Sequence, residues 1–247
     1  MPAPQPLTDP HESLTGVRTS LAAARQDVLA RITDACQRSG RDPAEVTLLA
    51  VSKGVPATRL SAAVEAGLGS LGESRVQEAA QKILAVPGAA WHMVGRLQGN
   101  KVARAVDLFA AIHSVDSIDL ARRLDRAATD SGRAMRYPIY LQVNIDEERS
   151  KAGFSPESLA AAVHELVALP NLEVVGLMTI GRLGDRPEAA RPTFARLRRL
   201  SERLRARDGR LGEGLSMGMS EDFEVAVEEG ATLVRIGRAL FGDRPLT

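Results

Sequence analysis

Short apolar runs recur along this chain, and each is followed by a stretch with helical spacing. The runs fall at residues 48–53, 70–73, 91–95, 110–115, 139–145, 172–180, 214–217 and 232–236. Alternation of this kind predicts parallel strands joined by helical crossovers. Eight such units in about this length predict a single-domain (β/α)8 barrel over residues 12–247. An extra helix stands in front, with Leu14, Val17, Leu21, Val28, Ile32 and Cys36 on its apolar face. Residues 1–11 are proline-rich and are expected to form a flexible arm. The alternative is an open doubly wound sheet, but no Gly-x-Gly-x-x-Gly turn follows the first strand.

Local signals refine the pattern. Ser74 and Gln77 have capping-box spacing, Asn100 can cap the helix after strand three, and Ser155-Pro156 should open the sixth crossover helix. Residues 182–192 are polar, with glycine and two prolines, and are predicted to be a long loop. Ser220-Glu221-Asp222 should start a helix with acid in its first turn.

Composition narrows the functions. A formal charge of +1 gives no field to steer nucleic acid or membrane, and 3% aromatics provide no stacking platform for single strands. No apolar stretch is long enough to span a bilayer, and the amino-terminal residues do not resemble a signal peptide. One cysteine, Cys36, excludes an internal disulfide and suits a cytoplasmic setting. His92 and His113 lack ligand spacing, which predicts packed histidines and no metal site.

The run at 48–53 ends in Lys53, one of only four lysines, with Lys82, Lys101 and Lys151. A lysine closing a buried strand either reaches water or is poised for chemistry. Desolvation makes it a nucleophile toward carbonyls, which is Schiff-base chemistry. In a barrel, active groups gather at the carboxyl ends of the strands, and the loops after strands seven and eight often bind phosphate. Here the first of those loops is Ser216-Met217-Gly218-Met219-Ser220, and Gly237 follows strand eight. Closure puts strand eight beside strand one, so Lys53 should adjoin a phosphate cradle. A carbonyl-trapping lysine next to such a cradle describes pyridoxal 5′-phosphate (PLP). Arg235 lies inside the last apolar strand. It is expected either to pair with Glu73 or to face a pyridine nitrogen and keep it unprotonated.

Six ordered motifs resemble one family. They are Ala-Val-Ser-Lys (50–53), Gly-Glu-Ser-Arg-Val-Gln-Glu (72–78), Trp-His-Met-Val-Gly-Arg-Leu-Gln-Gly-Asn-Lys (91–101), Ser-Lys-Ala-Gly (150–153), Leu-Ser-Met-Gly-Met-Ser-Glu-Asp (215–222) and Val-Arg-Ile-Gly (234–237). They are similar to the YggS/PROSC family of pyridoxal phosphate homeostasis proteins, which resemble the barrel domain of alanine racemase without its second, β-rich domain. The resemblance implies a covalent Schiff base on Lys53 and Arg235 against the pyridine nitrogen. It also implies phosphate contacts from Ser216, Met217, Gly237 and Arg238, with Ser74, Asn144 and Met178 as further neighbours. Lys151 is expected to be solvated or to be a second anion contact. The family usually has Asn at Ser74, Ser or Thr at Gly99, and Thr or Ser at Arg238. Arg238 should therefore either hold phosphate or turn to solvent.

The function implied is storage and delivery of PLP to apo PLP-dependent enzymes by a monomer or weak dimer, with no catalytic residues of its own. A PLP-dependent racemase is the alternative, and a barrel aldolase using Lys53 a third.

Overall fold

The computed structural model describes residues 14–182, 184 and 186–243; the expected amino-terminal arm lies outside them. Eight parallel strands close in sequence order into one barrel. They are β1 (Thr47–Val51), β2 (Ser70–Glu73), β3 (Ala90–Met93), β4 (Ala111–Val115), β5 (Tyr137–Gln142), β6 (Leu172–Met178), β7 (Gly214–Ser216) and β8 (Leu233–Ile236). The helices are α1 (Leu14–Ser39), α2 (Ala57–Glu65), α3 (Val76–Ala85), α4 (Val102–Leu108), α5 (Ile118–Asp130), α6 (Pro156–Val167), α7 (Arg191–Arg207), α8 (Phe223–Glu228) and α9 (Arg238–Phe241). This is the fold that the alternation predicts.

Closure rests on β1 pairing β8 in register, Thr47 against Leu233 through Ala50 against Ile236. The extra helix α1 packs on α8, α9 and α2, the helices next to β8 and β1 in the chain. Its face buries Leu21, Val28, Ile32, Ala35 and Cys36. Arg31 reaches Glu224 at 3.1 Å and Arg38 reaches Glu228 at 2.6 Å. Arg41, just past the helix, donates to the carbonyls of Val227 and Ala231 at 2.7 and 2.9 Å.

Several boundaries differ from expectation. β5 takes in Tyr137 and Pro138 and stops at Gln142, because the Asn144 side chain fastens residues 144–151 into a loop. Neither Ser74 nor Asn100 caps a helix. α3 starts after Arg75 with no side-chain cap, and Asn100 lies in a 3-10 turn before α4. The loop at 182–192 is shorter than expected, since a 3-10 turn at Pro187–Ala190 leads into α7 at Arg191. Pro192 sits in the first turn of α7, where its missing N–H costs nothing. Ser155 caps α6 as predicted, accepting from the Ser158 N–H at 3.1 Å. Asp222 stands just before α8 and accepts the Met219 N–H at 2.6 Å.

β6 and β7 approach unusually closely. A Cβ on Gly176 would lie 1.9 Å from the Gly214 carbonyl oxygen, so only glycine fits there. A Cβ on Gly214 would in turn meet the Tyr140 ring at 2.9 Å, so that glycine makes room for an aromatic side chain inside the barrel.

Candidate functional site

Lys53 lies in the turn after β1, two residues past its end, with Gly54 at φ +74 next to it. Its side chain is exposed, so of the two states expected for a lysine at this strand end it takes the one that reaches water. The lysine that is buried here is Lys82, on α3. Its ammonium donates to the Ser52 carbonyl at 2.7 Å and to Glu73 Oε1 and Glu78 Oε1 at 2.6 Å each. Glu73 is fully buried and also accepts from the Ser52 hydroxyl at 2.8 Å and the Ser74 N–H at 3.1 Å. Glu78 accepts the Gly54 N–H at 2.9 Å. The residues on both sides of Lys53 are thus fastened to one buried ionic network, while Lys53 itself is left at the mouth.

Lys53 separates two hollows. Toward β8, a pocket of about 80 Å³ is lined by Val51, Lys53, Val55, Gly237, Arg238 and Phe241. Toward β2 and β3 lies a cleft of about 440 Å³. On the β8 side the loop after β7 folds against the end of β8. Gly218 adopts φ +92 and its carbonyl accepts the Arg235 N–H at 3.0 Å. The Ser220 hydroxyl oxygen accepts the N–H groups of both Gly237 and Ala239 at 3.3 Å. With its lone pairs engaged, that hydroxyl keeps its own proton to give to an anion. Ser220 was not singled out from sequence. The signal available was its place as the second serine of the loop, four residues after Ser216.

The other residues expected on the phosphate side are placed differently from one another. Ser216 and Met217 are fully buried. The Ser216 hydroxyl faces the barrel interior, 2.9 Å from His113 Nδ1 and 2.8 Å from Arg235. Gly237 borders the pocket beside Lys53. Arg238 sends its guanidinium to Glu221 at 3.0 Å, with that side chain 56% exposed.

Arg235 does not pair with Glu73. Its NH1 donates to the Ser216 carbonyl at 2.7 Å and to the Ser216 hydroxyl, and its NH2 to the Thr179 carbonyl at 2.8 Å. Burial pushes its guanidinium down to about 10, against the pull of Asp222, so it is charged at neutral pH. Of five N–H donors, two remain for a ligand. The hydrogen bonds continue inward, because His113 Nε2 meets His92 Nδ1 at 3.0 Å. Ser216 Oγ accepts from Arg235 and also meets His113 Nδ1, donor and acceptor in that second contact being set by the ring tautomer. Burial holds His92 at about 4 and His113 well below its ordinary value, so both rings are neutral near pH 7. They are packed histidines, as expected. Tyr140 stacks on His113 with centroids 4.4 Å apart.

Met178 is buried at the end of β6, and Ser74 lines the larger cleft. Asn144 spends its side chain on the carbonyls of Glu148 and Lys151 and on the Glu148 N–H. Lys151 is not solvated; it bonds Glu148 at 2.8 Å and the Gly181 carbonyl at 3.1 Å. Cys36 is buried in the face of α1, and burial raises its thiol. Among the described residues no cluster could hold a metal ion, and no helix is long and apolar enough to cross a membrane.

Residues 25–245 match the family described as alanine racemase, N-terminal domain. The pyridoxal phosphate homeostasis protein of Aquifex aeolicus is 42% identical over 219 residues, covering 88% of this chain and 95% of that protein. PipY of Synechococcus elongatus PCC7942, solved with PLP bound, is 39% identical with a TM-score of 0.76, covering 87% of this chain and all of that one. Alanine racemase of Streptomyces lavendulae shares the fold at 21% identity and a TM-score of 0.69, over 94% of this chain and 58% of that enzyme.

Proposed function

The chain belongs to the alanine racemase N-terminal domain family and, within it, to the pyridoxal phosphate homeostasis proteins, and from that premise we propose that it holds PLP on Lys53 and releases it to apo PLP-dependent enzymes in the cytoplasm. The observation that carries this reading is the exposed Lys53 side chain, on a turn whose flanking residues Ser52 and Gly54 are held by Lys82 and Glu78, beside a pocket edged by Gly237, whose N–H meets the Ser220 hydroxyl.

The residues fit the cofactor part by part. The free hydroxyl proton of Ser220 and the backbone around Gly237 suit a phosphate. Two spare Arg235 donors suit a ring nitrogen. When bound, the cofactor supplies an aldehyde that condenses reversibly with an amine, losing water. Lys53 supplies that amine, and the Lys82 network keeps its turn from moving. Arg235, which keeps its proton at neutral pH, presents a fixed positive charge that disfavours protonation of a facing ring nitrogen. That leaves the ring a weak electron sink.

The racemase reading needs an acid/base group on each face of the substrate α-carbon. Lys53 can serve one face. The chain has two tyrosines, and neither is at the mouth. Tyr137 is fully buried and donates to the Phe109 carbonyl at 3.0 Å. Tyr140 lies under His113, with its hydroxyl toward Gly214 at the opposite, amino-terminal end of the strands. A carrier role, without robust catalysis, fits this arrangement.

The test uses the loaded protein. A visible absorbance band that borohydride removes should appear, and peptide mapping should place the pyridoxyl mass on Lys53. A main adduct on Lys82, Lys101 or Lys151 would refute the assignment. Incubation with L-alanine in deuterium oxide should give slow Cα–H exchange, and PLP should pass to an added apoenzyme. Racemisation near the usual enzyme median of about 10 s⁻¹ overturns the carrier reading.

A further inference from the structure

The cleft on the β2–β3 side of Lys53 has a composition the carrier function does not require. Its lining includes four cations, Lys53, Arg75, Arg96 and Lys101, together with Ser74 and Gln98, and no carboxylate. On other faces of the barrel several arginines are matched by acids: Arg31 with Glu224, Arg38 with Glu228, and Arg191 with Glu188, Glu228 and Glu229. Here Arg75 and Lys101 have no ion-pair partner among the described residues. Arg96 only approaches Asp116 at 3.8 Å, with its own side chain 79% exposed. Like charges gathered in a concave site repel one another and raise the local concentration of anions. The amino-terminal turn of α3, which has no side-chain cap, opens on the same cleft through Val76 and Gln77 and adds to the positive potential.

Three separate elements supply the charge: the turn after β1, the start of α3 and the segment from Arg96 to Lys101. One acidic group can engage cations from two of these elements; a molecule with two acidic groups can engage all three. The cleft's volume of about 440 Å³ suits a small molecule and not a folded partner. The pocket edged by Gly237, on the phosphate side of the proposed cofactor site, lies on the other side of Lys53.

We propose that this cleft is a second anion site, for a small molecule bearing two acidic groups such as a dicarboxylate, beside the PLP cradle but separate from it. This rests on the carrier reading only for its consequence. A dianion next to the Lys53 amine favours the amine's charged form, which does not attack carbonyls. Occupancy of the cleft therefore loosens the hold on PLP, and by linkage PLP weakens the diacid to the same degree.

The experiment titrates the cofactor-free protein with succinate by calorimetry, in parallel with inorganic phosphate, and repeats the titration on Arg75→Gln, Lys101→Gln and the double variant. Succinate should bind at a single site, more tightly than phosphate. Each lost cation should weaken it about tenfold. The double variant should still load PLP on Lys53, read by its visible band. The loaded wild-type protein should bind succinate more weakly but still saturably. No saturable succinate binding at millimolar concentrations overturns the proposal. So does unchanged affinity in the double variant, or phosphate binding as tightly as succinate. Complete loss of the succinate site on PLP loading would make the cleft part of the cofactor site and overturns the separation. If PLP fails to load while succinate still binds with the expected variant dependence, the carrier reading fails and the anion site stands.

Discussion

Replacing Lys82 by Met should unsettle the turn that carries Lys53. The substitution keeps the volume of the stem and removes three donors, to Ser52, Glu73 and Glu78, whose distances lie between 2.6 and 2.7 Å. Glu73, fully buried, is left without its countercharge. Removing one partner of a buried ion pair costs about 3–5 kcal/mol. The lower end applies here, because Glu73 keeps the Ser52 hydroxyl and the Ser74 N–H as donors. A loss of about 3 kcal/mol is a large share of the roughly 5–15 kcal/mol that holds a domain. At about 2–4 °C per kcal/mol for a chain of this size, melting should fall by roughly 6–12 °C. Scanning calorimetry measures that fall, and the visible band measures PLP affinity, which should drop about tenfold as the Lys53 turn loosens. Adding Glu73→Gln to Lys82→Met should restore at least half of the lost stability, because it removes the stranded charge. A loss under about 1 kcal/mol in the single variant, the size of a surface pair, would refute the reasoning. So would a double variant less stable than the single one.

Three further outcomes follow. His92 is held at about 4 by burial, below its ordinary value near 6.5, so as pH falls the unfolded chain takes up this proton before the folded one. Stability that is complete above about pH 6.5 should therefore be lost as pH falls toward 4, by about 3 kcal/mol from His92, and His92→Gln should flatten that slope in urea titrations. Arg238→Ala should weaken PLP and pyridoxal equally and by less than about threefold, since its guanidinium is occupied by Glu221 at the surface; a loss confined to PLP and above about tenfold would show that Arg238 grips phosphate. Ser220→Ala should cost PLP about tenfold and pyridoxal little, read by equilibrium dialysis, and equal losses for both would remove Ser220 from the cradle.

The barrel was legible because eight apolar runs at regular intervals leave few ways to bury them, and the position of Lys53 followed from the end of the first run. Its state did not. The run 48–53 left two states open for a lysine closing the strand, whereas β1 ends at Val51, Ser52 stays buried and Lys53 turns outward. The buried lysine went unnoticed although a signal existed: Glu78 and Lys82 stand four apart on one helix, the spacing of a paired face. The chain of contacts from Arg235 through Ser216 and His113 to His92 joins β8, β7, β4 and β3 across the interior. No sequence spacing encodes such contacts, since they depend on how the strands are staggered around the barrel. The same holds for Arg235, assigned Glu73 as one possible partner when backbone carbonyls and Ser216 take that place. Ser216 and Ser220 sit in one loop with similar neighbours in sequence. Only the folded path of that loop separates the serine facing inward from the one facing the mouth.

The seam between β1 and β8 imposes an order of events on the newborn chain. The first strand made acquires its second neighbour only when residues 233–236 have been synthesised. At about 5–20 residues per second, that edge stays open for roughly ten seconds or more. The acids that receive Arg31 and Arg38 of α1, Glu224 and Glu228, arrive equally late. During that interval the amino-terminal third presents an unpaired strand edge and an apolar helix face, a hazard that chaperones relieve. Lys53 is among the earliest reactive groups to emerge, yet the N–H groups of Gly237 and Ala239 that meet Ser220 are among the last. On the proposed reading, an incomplete chain carries the amine without the cradle. On that reading, stable capture of the cofactor marks a chain whose translation has passed α9.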